Sequence, residues 1–323
     1  MITILTDPIP ALTNYYKEKV LAGVRPVIRM FDKKLPLVQP VYGGHFAVTR
    51  SLVEGLVKNK IEFNYNPRRV SDCANIVLVL AGIKMLKQAI ELKKSGVIRK
   101  LFAGPNVMLA PQHHLHEIDF NSIDAYIVNS AWTRDLYIAD CVALQNKTIV
   151  WPAGVDEEFW KPGTDSGAQK KRKVILYKKD AEPDLYLDAL SYLCSNGFNV
   201  SEIIYGNYST ESYKALLNDA CLLIYFNTHE SQGIALLEAW AMDVPTLVWE
   251  TGYHFAGDKK VPSSSAPYLT ADTGMFFSNL ETCVKYIHQV FSGLAKFAPR
   301  KWVLNNLTDQ KAAKNLMDEI VVF

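Results

Sequence analysis

Several features that mark particular classes of protein are missing from this sequence of 323 residues. No apolar run approaches the ~20 residues of a membrane-spanning helix, so we expect no transmembrane segment. The opening residues MITILTDPIP lack the basic head and apolar core of a signal peptide. The five cysteines are scattered and form no CxxC pair, which argues against a disulfide framework and a zinc site. A reducing compartment, the cytoplasm, fits this pattern best.

An excess of charge of one sign is also lacking, because 35 Lys and Arg stand against 33 Asp and Glu. Affinity for a phosphate backbone comes from clustered cationic side chains, so we expect no nucleic-acid partner. One basic run stands out, KKRK at residues 170–173. It is either a solvated segment in front of a strand or a contact for an anionic substrate or a membrane surface, so peripheral membrane contact stays open. The absence of a Walker loop and of GxGxxG disfavours kinases and dehydrogenases.

What the sequence does contain is an alternation of β-rich runs with amphipathic helical patterns. Apolar runs at residues 75–81, 99–103 and 124–128 predict buried strands, the second of them stopped by Gly104-Pro105. A second series of the same kind begins at residue 173. Buried strands that alternate with helices are typical of parallel α/β sheets, whose ligands bind at the carboxyl ends of the strands.

The alternation breaks at residues 150–167, where Pro, Gly, Ser and Asp are concentrated. We therefore predict two Rossmann-like α/β domains that face a cleft. The N-terminal domain is predicted over residues 1–160 and the C-terminal domain over residues 161–300. Residues 301–323 are predicted as a helical segment that packs back toward the N-terminal domain, with Thr308 as the N-cap of its last helix.

The stretch HESQGIALLEAWA, residues 229–241, carries the most informative chemistry. Gly233 opens a predicted helix, whose free N–H groups and dipole suit a phosphate that a glycine allows close to the backbone. Glu230 precedes this helix, and Glu238 lies in its second turn, where a carboxylate on an otherwise apolar helix needs polar partners. The alternative is purely structural: Glu230 is an acid that favours the helix N-terminus, and Glu238 is a surface residue.

This stretch resembles the Glu-x7-Glu element of retaining glycosyltransferases with the GT-B fold, above all the family-four class. Other segments match in the same order, so that the resemblance covers roughly residues 40–320: YGGH at 42–45, AYIVNS at 125–130, AGVDEEFWKP at 153–162 and YGNYS at 205–209. The Glu-x7-Glu block with its trailing proline is the specific part, whereas the glycine pairs alone are weak signals. Asp243 replaces a glycine that is usual in the family, and Asp tolerates a left-handed turn.

The resemblance implies a nucleotide-diphosphate sugar as co-substrate and assigns roles to individual residues. Glu230 would hold hydroxyls of the donor sugar, and Glu238 would hold the ribose hydroxyls. The family usually carries an Arg and a Lys on the diphosphate, and only Lys178 and Lys179 stand in that region here. The implied catalytic residues are therefore Glu230, Lys178 and Lys179. The implied donor-binding residues are Gly43, Gly44, Gly206, Asn207, Ser231, Gln232, Gly233, Ile234 and Glu238.

Two residues are candidates for the acceptor side. Asn106 follows a predicted strand, and His113 belongs to the histidine-rich segment PQHHLHE at residues 111–117. For these histidines, metal ligation, a sugar contact and a structural loop remain alternatives. Asp-x-Asp, the usual metal anchor of the other main transferase fold, does not occur. We therefore expect no metal and no other cofactor, with a lysine and the helix dipole in the metal's electrostatic role.

The resulting prediction is a cytoplasmic, metal-independent, retaining glycosyltransferase. It would move a sugar from a nucleotide-diphosphate donor to a sugar, glycan, lipid-linked or small-molecule acceptor. Two alternatives stay open: a nucleotide-sugar epimerase or hydrolase of the same fold, and a non-catalytic scaffold that binds a nucleotide sugar. The first would consume donor without an acceptor, and the second would bind donor without turnover.

Overall fold

The computed structural model describes residues 1–6, 44–67, 69, 72–163, 172–180 and 183–323. The Cα positions cluster into two compact units. Unit 1 comprises residues 1–128, 137–151 and 313–323, and unit 2 comprises residues 129–136 and 152–312. The chain passes between these units more than once. The bounds and the functional assignments of the predicted domains stay predictions.

In unit 1, the described strands form one parallel sheet. They are β1 (Ile2–Thr6), β2 (Phe63–Tyr65), β3 (Ile76–Ala81), β4 (Lys100–Asn106), β5 (Ala125–Val128) and β6 (Thr148–Val150). Their order across the sheet is β2-β1-β3-β4-β5-β6. Among the described residues, the helices in this part of the sequence are α1 (Gly44–Lys58), α2 (Ile83–Lys94) and α3 (Ala131–Asp140), the last of which is shared between the two units. Strand β1 was not predicted, although all five of its residues, ITILT, are buried.

Strand β4 corrects one prediction, because it continues through Gly104-Pro105 instead of stopping there. Its pairing with β3 shifts at this point, from Val79 opposite Ala103 to Ala81 opposite Asn106. Such an irregularity accommodates a proline that has no N–H to donate to the ladder. The glycine is needed because a Cβ at Gly104 would lie 2.1 Å from the carbonyl oxygen of Ile127. Asn106 thereby becomes the last residue of β4.

Unit 2 contains a second parallel sheet and a hairpin. The strands are β7 (Lys173–Lys178), β8 (Asn199–Ile204), β9 (Leu222–Phe226), β10 (Thr246–Trp249), β11 (Tyr253–Ala256), β12 (Lys259–Pro262) and β13 (Gly274–Phe277). The sheet has the order β13-β10-β9-β7-β8, and β11 pairs with β12 as an antiparallel hairpin. The remaining helices are α4 (Pro183–Ser195), α5 (Thr210–Asp219), α6 (Ile234–Ala241), α7 (Leu280–Phe291), α8 (Pro299–Asn306) and α9 (Asp309–Val322).

The sheet of unit 2 is buried on both faces because alternate residues of its central strands enter two apolar clusters. Tyr177 and Tyr225 lie in one cluster, and Leu176 and Phe226 lie in the other. Burial of each such large side chain contributes about 1.5–3 kcal/mol to folding. Continuous apolar strands are what a parallel sheet with two covered faces requires. The pattern of paired α/β sheets expected from the sequence is therefore present.

Two local predictions about backbone geometry are also confirmed. Helix α9 begins at Asp309, and the Lys311 N–H donates to the Thr308 hydroxyl at 3.3 Å, as expected of an N-cap. Asp243 has a φ of 61°, so it adopts the left-handed turn that Asp tolerates. Among the described residues, no helix is both long and apolar enough to cross a membrane.

Candidate functional site

The candidate site lies at the carboxyl ends of strands β7 and β9 in unit 2. These strands are neighbours, with Lys178 opposite Phe226 in the register. The loops that follow them therefore leave the same edge of the sheet side by side. The backbone N–H of Lys179 donates to the carbonyl of Phe226 at 3.0 Å, which fixes the start of the first loop against the second.

The carboxylate of Glu230 is the centre of this site. Its Oε1 atom accepts hydrogen bonds from Lys179 Nζ at 2.8 Å, the Tyr225 hydroxyl at 2.5 Å and Asn227 Nδ2 at 2.9 Å. The Glu230 side chain is only 11% exposed, and burial of a carboxylate is tolerable because these donors compensate for lost water. Among the described residues, no hydrogen bond to Oε2 is found, so the second oxygen can accept one from a ligand.

The backbone of the same loop is fixed from several sides. The Glu230 N–H donates to the Ser264 carbonyl at 2.8 Å, and the Trp132 indole N–H donates to the Glu230 carbonyl at 2.9 Å. The Ser265 hydroxyl donates to the carbonyl of Asn227 at 2.7 Å. The carboxylate therefore has a defined direction before any ligand binds, which is the preorganisation that a catalytic or binding carboxylate needs.

Helix α6 begins immediately after this loop, and its N-terminus has the predicted form. Gly233 precedes the helix with a φ of 81°, a left-handed conformation that a side chain would strain. A Cβ at this position would also lie 3.1 Å from Leu236 Cδ1. The first N–H groups of a helix have no partners within it, so those of Ile234 and Ala235 can meet an anion, whereas those of Leu236 and Leu237 donate to the Gly233 carbonyl. Ser231 is exposed beside them.

The side chain of Gln232 has a structural task that the sequence did not indicate. It is 4% exposed, and its Nε2 donates to the Ala153 carbonyl at 2.6 Å. Its Oε1 accepts from the Ala153 N–H at 3.0 Å and from Asn129 Nδ2 at 3.1 Å. The implied contact of Gln232 with a donor phosphate would therefore involve its backbone, because the side chain is fully engaged elsewhere.

The two candidate lysines point in different directions because they occupy successive positions at a strand end. Lys179 Nζ bonds Glu230 and lies 4.7 Å from the centre of the exposed Tyr205 ring. Lys178 Nζ lies instead 4.9 Å from the centre of the Tyr186 ring. Tyr186 belongs to the other apolar cluster of the sheet. Of the two, only Lys179 is brought to Glu230.

Glu238 lies in the second turn of α6 and is half-buried. The ring of Tyr208 lies 5.2 Å from that of Tyr213, whose hydroxyl donates to the Ala235 carbonyl of the same helix at 2.8 Å. Burial raises the pKa of Tyr208, and the negative charge of Glu238 adds to this rise. Tyr208 directly follows the exposed turn of Gly206 and Asn207, in which Gly206 has a φ of 84°. The fold thus brings the turn and Glu238, both implied in donor binding, to one region of unit 2.

Several residues beside Glu230 escaped the sequence analysis. His229 and His254 stack with ring centres 4.0 Å apart and an interplanar angle of 17°, and the edge of Trp132 meets both. His254 comes from the β11–β12 hairpin, so sequence distance hid the pair. Tyr225 is the next-to-last residue of the apolar strand β9. Its hydroxyl was the available signal, because a polar atom in a buried run has to find a partner.

The remaining candidates lie in unit 1 or outside the described residues. Gly43 is not among the described residues, and Gly44 is the exposed first residue of α1. Asn106 Nδ2 is buried and has no hydrogen-bond partner among the described residues. His113 is exposed in a short 3₁₀ helix, and the neighbouring His114 pairs with Glu117 at 2.5 Å. The acceptor roles of Asn106 and His113 stay predictions.

No protein-family model and no curated protein matches the chain. Solved structures do match. The lipopolysaccharide outer core galactosyltransferase WaaB, in its apo form, is 13% identical with a TM-score of 0.57, over 87% of this chain and 96% of that one. HepE from Anabaena in complex with UDP is 12% identical with a TM-score of 0.54, over 87% of this chain and 97% of that one.

A sucrose-phosphate synthase from Thermosynechococcus elongatus is also similar, with 12% identity and a TM-score of 0.51 over 85% of this chain and 92% of that one. At such identities the likeness concerns the fold. It confirms the predicted α/β fold with two Rossmann-like sheets, which is the fold of GT-B glycosyltransferases. Fold alone does not determine an activity, so function has to be argued from the site.

Proposed function

We propose that this protein is a retaining glycosyltransferase that uses a nucleotide-diphosphate sugar and requires no metal. The observation that carries the proposal is the Glu230 carboxylate, oriented by three donors at the carboxyl edge of the unit 2 sheet. A cation, Lys179, and the N-terminus of α6 adjoin it. A nucleotide-diphosphate sugar needs this combination, because the carboxylate can accept hydrogen bonds from the sugar hydroxyls and the positive groups can bind the phosphates.

The chemistry follows from where charge develops. In a retaining transfer the sugar becomes oxocarbenium-like while negative charge builds on the departing diphosphate. Lys179 and the N–H groups after Gly233 would stabilise that charge, a task for which fixed donors in a partly buried site are effective. Glu230 would accept hydrogen bonds from the sugar through its second oxygen.

The rest of the donor would extend along unit 2. Glu238 would bind the ribose hydroxyls, and the turn at Gly206 and Asn207 would lie against the base. Lys178 is disfavoured as a diphosphate ligand because its ammonium lies over Tyr186. The acceptor would be a sugar, glycan, lipid-linked or small molecule, with Asn106 and His113 of unit 1 as candidate contacts. We place the reaction in the cytoplasm, where the five free thiols would remain reduced.

The proposal is tested first by donor binding. Structures similar to this one were solved with UDP and with UDP-glucose, so the panel begins with that pair. It continues with GDP and GDP-mannose, and with ADP and ADP-glucose, each titrated calorimetrically against wild-type protein and the Glu230→Gln variant. We expect one pair to bind wild type, and we expect the variant to lose affinity chiefly for the sugar nucleotide.

Turnover then separates the alternatives. With the donor that binds, release of nucleotide is measured with and without a panel of sugar, glycan and lipid-linked acceptors. Acceptor-dependent release, with a product of the donor's anomeric configuration by NMR, supports the proposal. Acceptor-independent consumption of donor points to an epimerase or hydrolase, binding without turnover points to a scaffold, and no binding by any pair contradicts all three.

Metal independence is tested in the same assay. We expect full activity in EDTA, because Lys179 and the helix N-terminus supply the positive charge that a metal supplies elsewhere. Loss of activity in EDTA that is restored by Mn²⁺ or Mg²⁺ would rule out this part of the proposal.

A further inference from the structure

The three donors that converge on Glu230 Oε1 differ in how easily each can leave it. Tyr225 belongs to a central strand and is 1% exposed, and its ring stacks on Tyr177 with centres 4.8 Å apart. Burial raises the pKa of Tyr225 well above its usual range, with the Glu230 charge adding to the rise, so the phenol keeps its proton. Its hydroxyl is thus a neutral donor fixed in position.

Asn227 is the second fixed donor. It is 1% exposed, and besides Glu230 Oε1 its Nδ2 meets the His229 carbonyl at 2.5 Å. Its Oδ1 accepts from the Thr228 N–H at 3.0 Å. The side-chain amide is therefore held at both ends, and it can neither rotate nor withdraw without loss of these bonds.

Lys179 differs from both. Its side chain is 29% exposed, and it reaches Glu230 from a loop through a flexible stem with four methylenes. The ammonium also lies over the ring of Tyr205, which is itself 54% exposed. The ammonium can therefore turn away from Glu230 without repacking the core.

We infer that Tyr225 is a positioning residue. With Asn227 it keeps Glu230 in place when the ammonium of Lys179 moves from Glu230 to the diphosphate of an incoming donor. The inference rests on the proposed function. When the lysine leaves, the largely buried Glu230 carboxylate loses its cationic partner. A buried charge without hydrogen-bond donors is costly, so the carboxylate would turn away unless other donors held it. The same lysine would then serve as a placeholder in the free protein and as a phosphate ligand in the complex.

The experiment compares a nucleoside diphosphate with its sugar nucleotide, UDP with UDP-glucose first, and otherwise the pair from the donor panel that wild type binds. Tyr225→Phe removes the hydroxyl and keeps the ring. The matched control is Tyr213→Phe, which removes a hydroxyl from a fully buried tyrosine of the same cluster, where it donates to the Ala235 carbonyl at 2.8 Å. Calorimetry gives both affinities, and steady-state kinetics gives kcat and KM.

We expect Tyr225→Phe to bind UDP as wild type does, and to lose about tenfold in affinity for UDP-glucose and in kcat, the scale of one hydrogen bond to a charged group. Tyr213→Phe should change neither ligand's affinity. Lys179→Met should weaken both ligands, because both carry the diphosphate that the ammonium would bind.

Equal losses for UDP and UDP-glucose in Tyr225→Phe, or no loss for either, would overturn the inference. If Tyr225→Phe does not fold, Asn227→Ala removes the other fixed donor and must show the same sugar-selective loss. Failure of wild-type protein to bind any pair overturns the proposed function, and this inference with it. Normal wild-type binding with an unselective Tyr225→Phe overturns the inference alone.

Discussion

Glu230 and Glu238 are eight positions apart in the sequence and have different surroundings in unit 2. Glu230 lies before α6, nearly buried, and its Oε1 receives three hydrogen bonds from two strand ends. Glu238 lies on the helix itself, half-buried and near Tyr208. The Glu230 carboxylate is oriented by groups at the ends of two strands, whereas Glu238 is a residue of helix α6.

This difference teaches how one short segment can serve two tasks. Ligands of parallel α/β sheets bind at the carboxyl ends of the strands, so a group that must meet a changing charge is best held there by several fixed contacts. A group that only binds an unreacting part of a ligand tolerates a less constrained position. The contrast predicts that substitutions at the Glu230 end lower the rate even at saturating donor, besides any loss of affinity for the sugar, and that substitutions at the Glu238 end lower the affinity alone.

The largest effect is expected for Glu230→Gln. The substitution keeps the shape and removes the charge that Lys179 and the donor sugar require. We expect kcat at saturating donor to fall by about 10²–10³-fold, the range for loss of one preorganised electrostatic contact. Glu281→Gln, at an acid in the first turn of α7, is the control and should be silent. A Glu230→Gln variant with unchanged kcat and raised KM would show that the two acids act in the same way, which contradicts the prediction.

A somewhat smaller effect is expected for Lys179→Met, and its neighbour supplies the control. Loss of the cation at the diphosphate should lower kcat/KM by about 10²-fold. Lys178→Met should change kcat/KM little, because that ammonium lies over Tyr186. Steady-state kinetics at fixed acceptor measures both. Equal losses in the two variants would show that the lysines share the diphosphate, against the geometry at the end of β7.

Glu238→Gln should act on binding. Its contact with the ribose would be equal in the ground and transition states, so KM for the donor should rise with little change in kcat. The scale is about ten- to a hundredfold, since a hydrogen bond to a charged group is worth roughly 1.5–3 kcal/mol. The measurement is a donor titration at saturating acceptor. A silent variant that is folded by circular dichroism would place the ribose elsewhere.

The sequence allowed the α/β class and much of unit 2 to be predicted, for a simple reason. The apolar run before residue 227 and the glycine at 233 are local signals, and strand, loop and helix follow from them. Strand β1 was missed although ITILT is a β-branched, wholly buried run. The resemblance began near residue 40 and gave no reason to look earlier in the chain.

The unpredicted parts of the candidate site depend on contacts between distant segments. His254 reaches His229 through the hairpin, and Trp132 reaches Glu230 from almost a hundred positions away. No periodicity encodes such distances. The choice between Lys178 and Lys179 also required the structure, because the alternation of side chains at a strand end depends on where the strand stops.

The smallest expected effect concerns the stacked histidines that adjoin Glu230. Burial lowers the pKa of both His229 and His254. At His229, the negative charges of Glu230 and Asp180 raise the pKa and so oppose the effect of burial, whereas the positive charge of Lys179 lowers it further. At His254, the neighbouring His229 lowers the pKa further. Both rings therefore bind protons less readily in the folded protein than in the unfolded chain.

The sign of the pH dependence follows from this difference. Above pH 6.5, the ordinary value, both states hold neutral rings and the pair has no effect on stability. As the pH falls below 6.5, the unfolded chain takes up protons first, so the free energy of unfolding decreases. We expect the thermal midpoint of wild type to drop between pH 7.5 and pH 5.5, and the drop to be smaller in His254→Gln, which lacks one of the two half-buried imidazoles. His113→Gln, at an exposed histidine of unit 1, should retain the full drop. The measurement is differential scanning calorimetry at both pH values. If the thermal midpoints of His254→Gln and wild type fall by the same number of degrees, the stacked pair does not limit stability at low pH. The Glu230 end is then no more sensitive to acid than the Glu238 end.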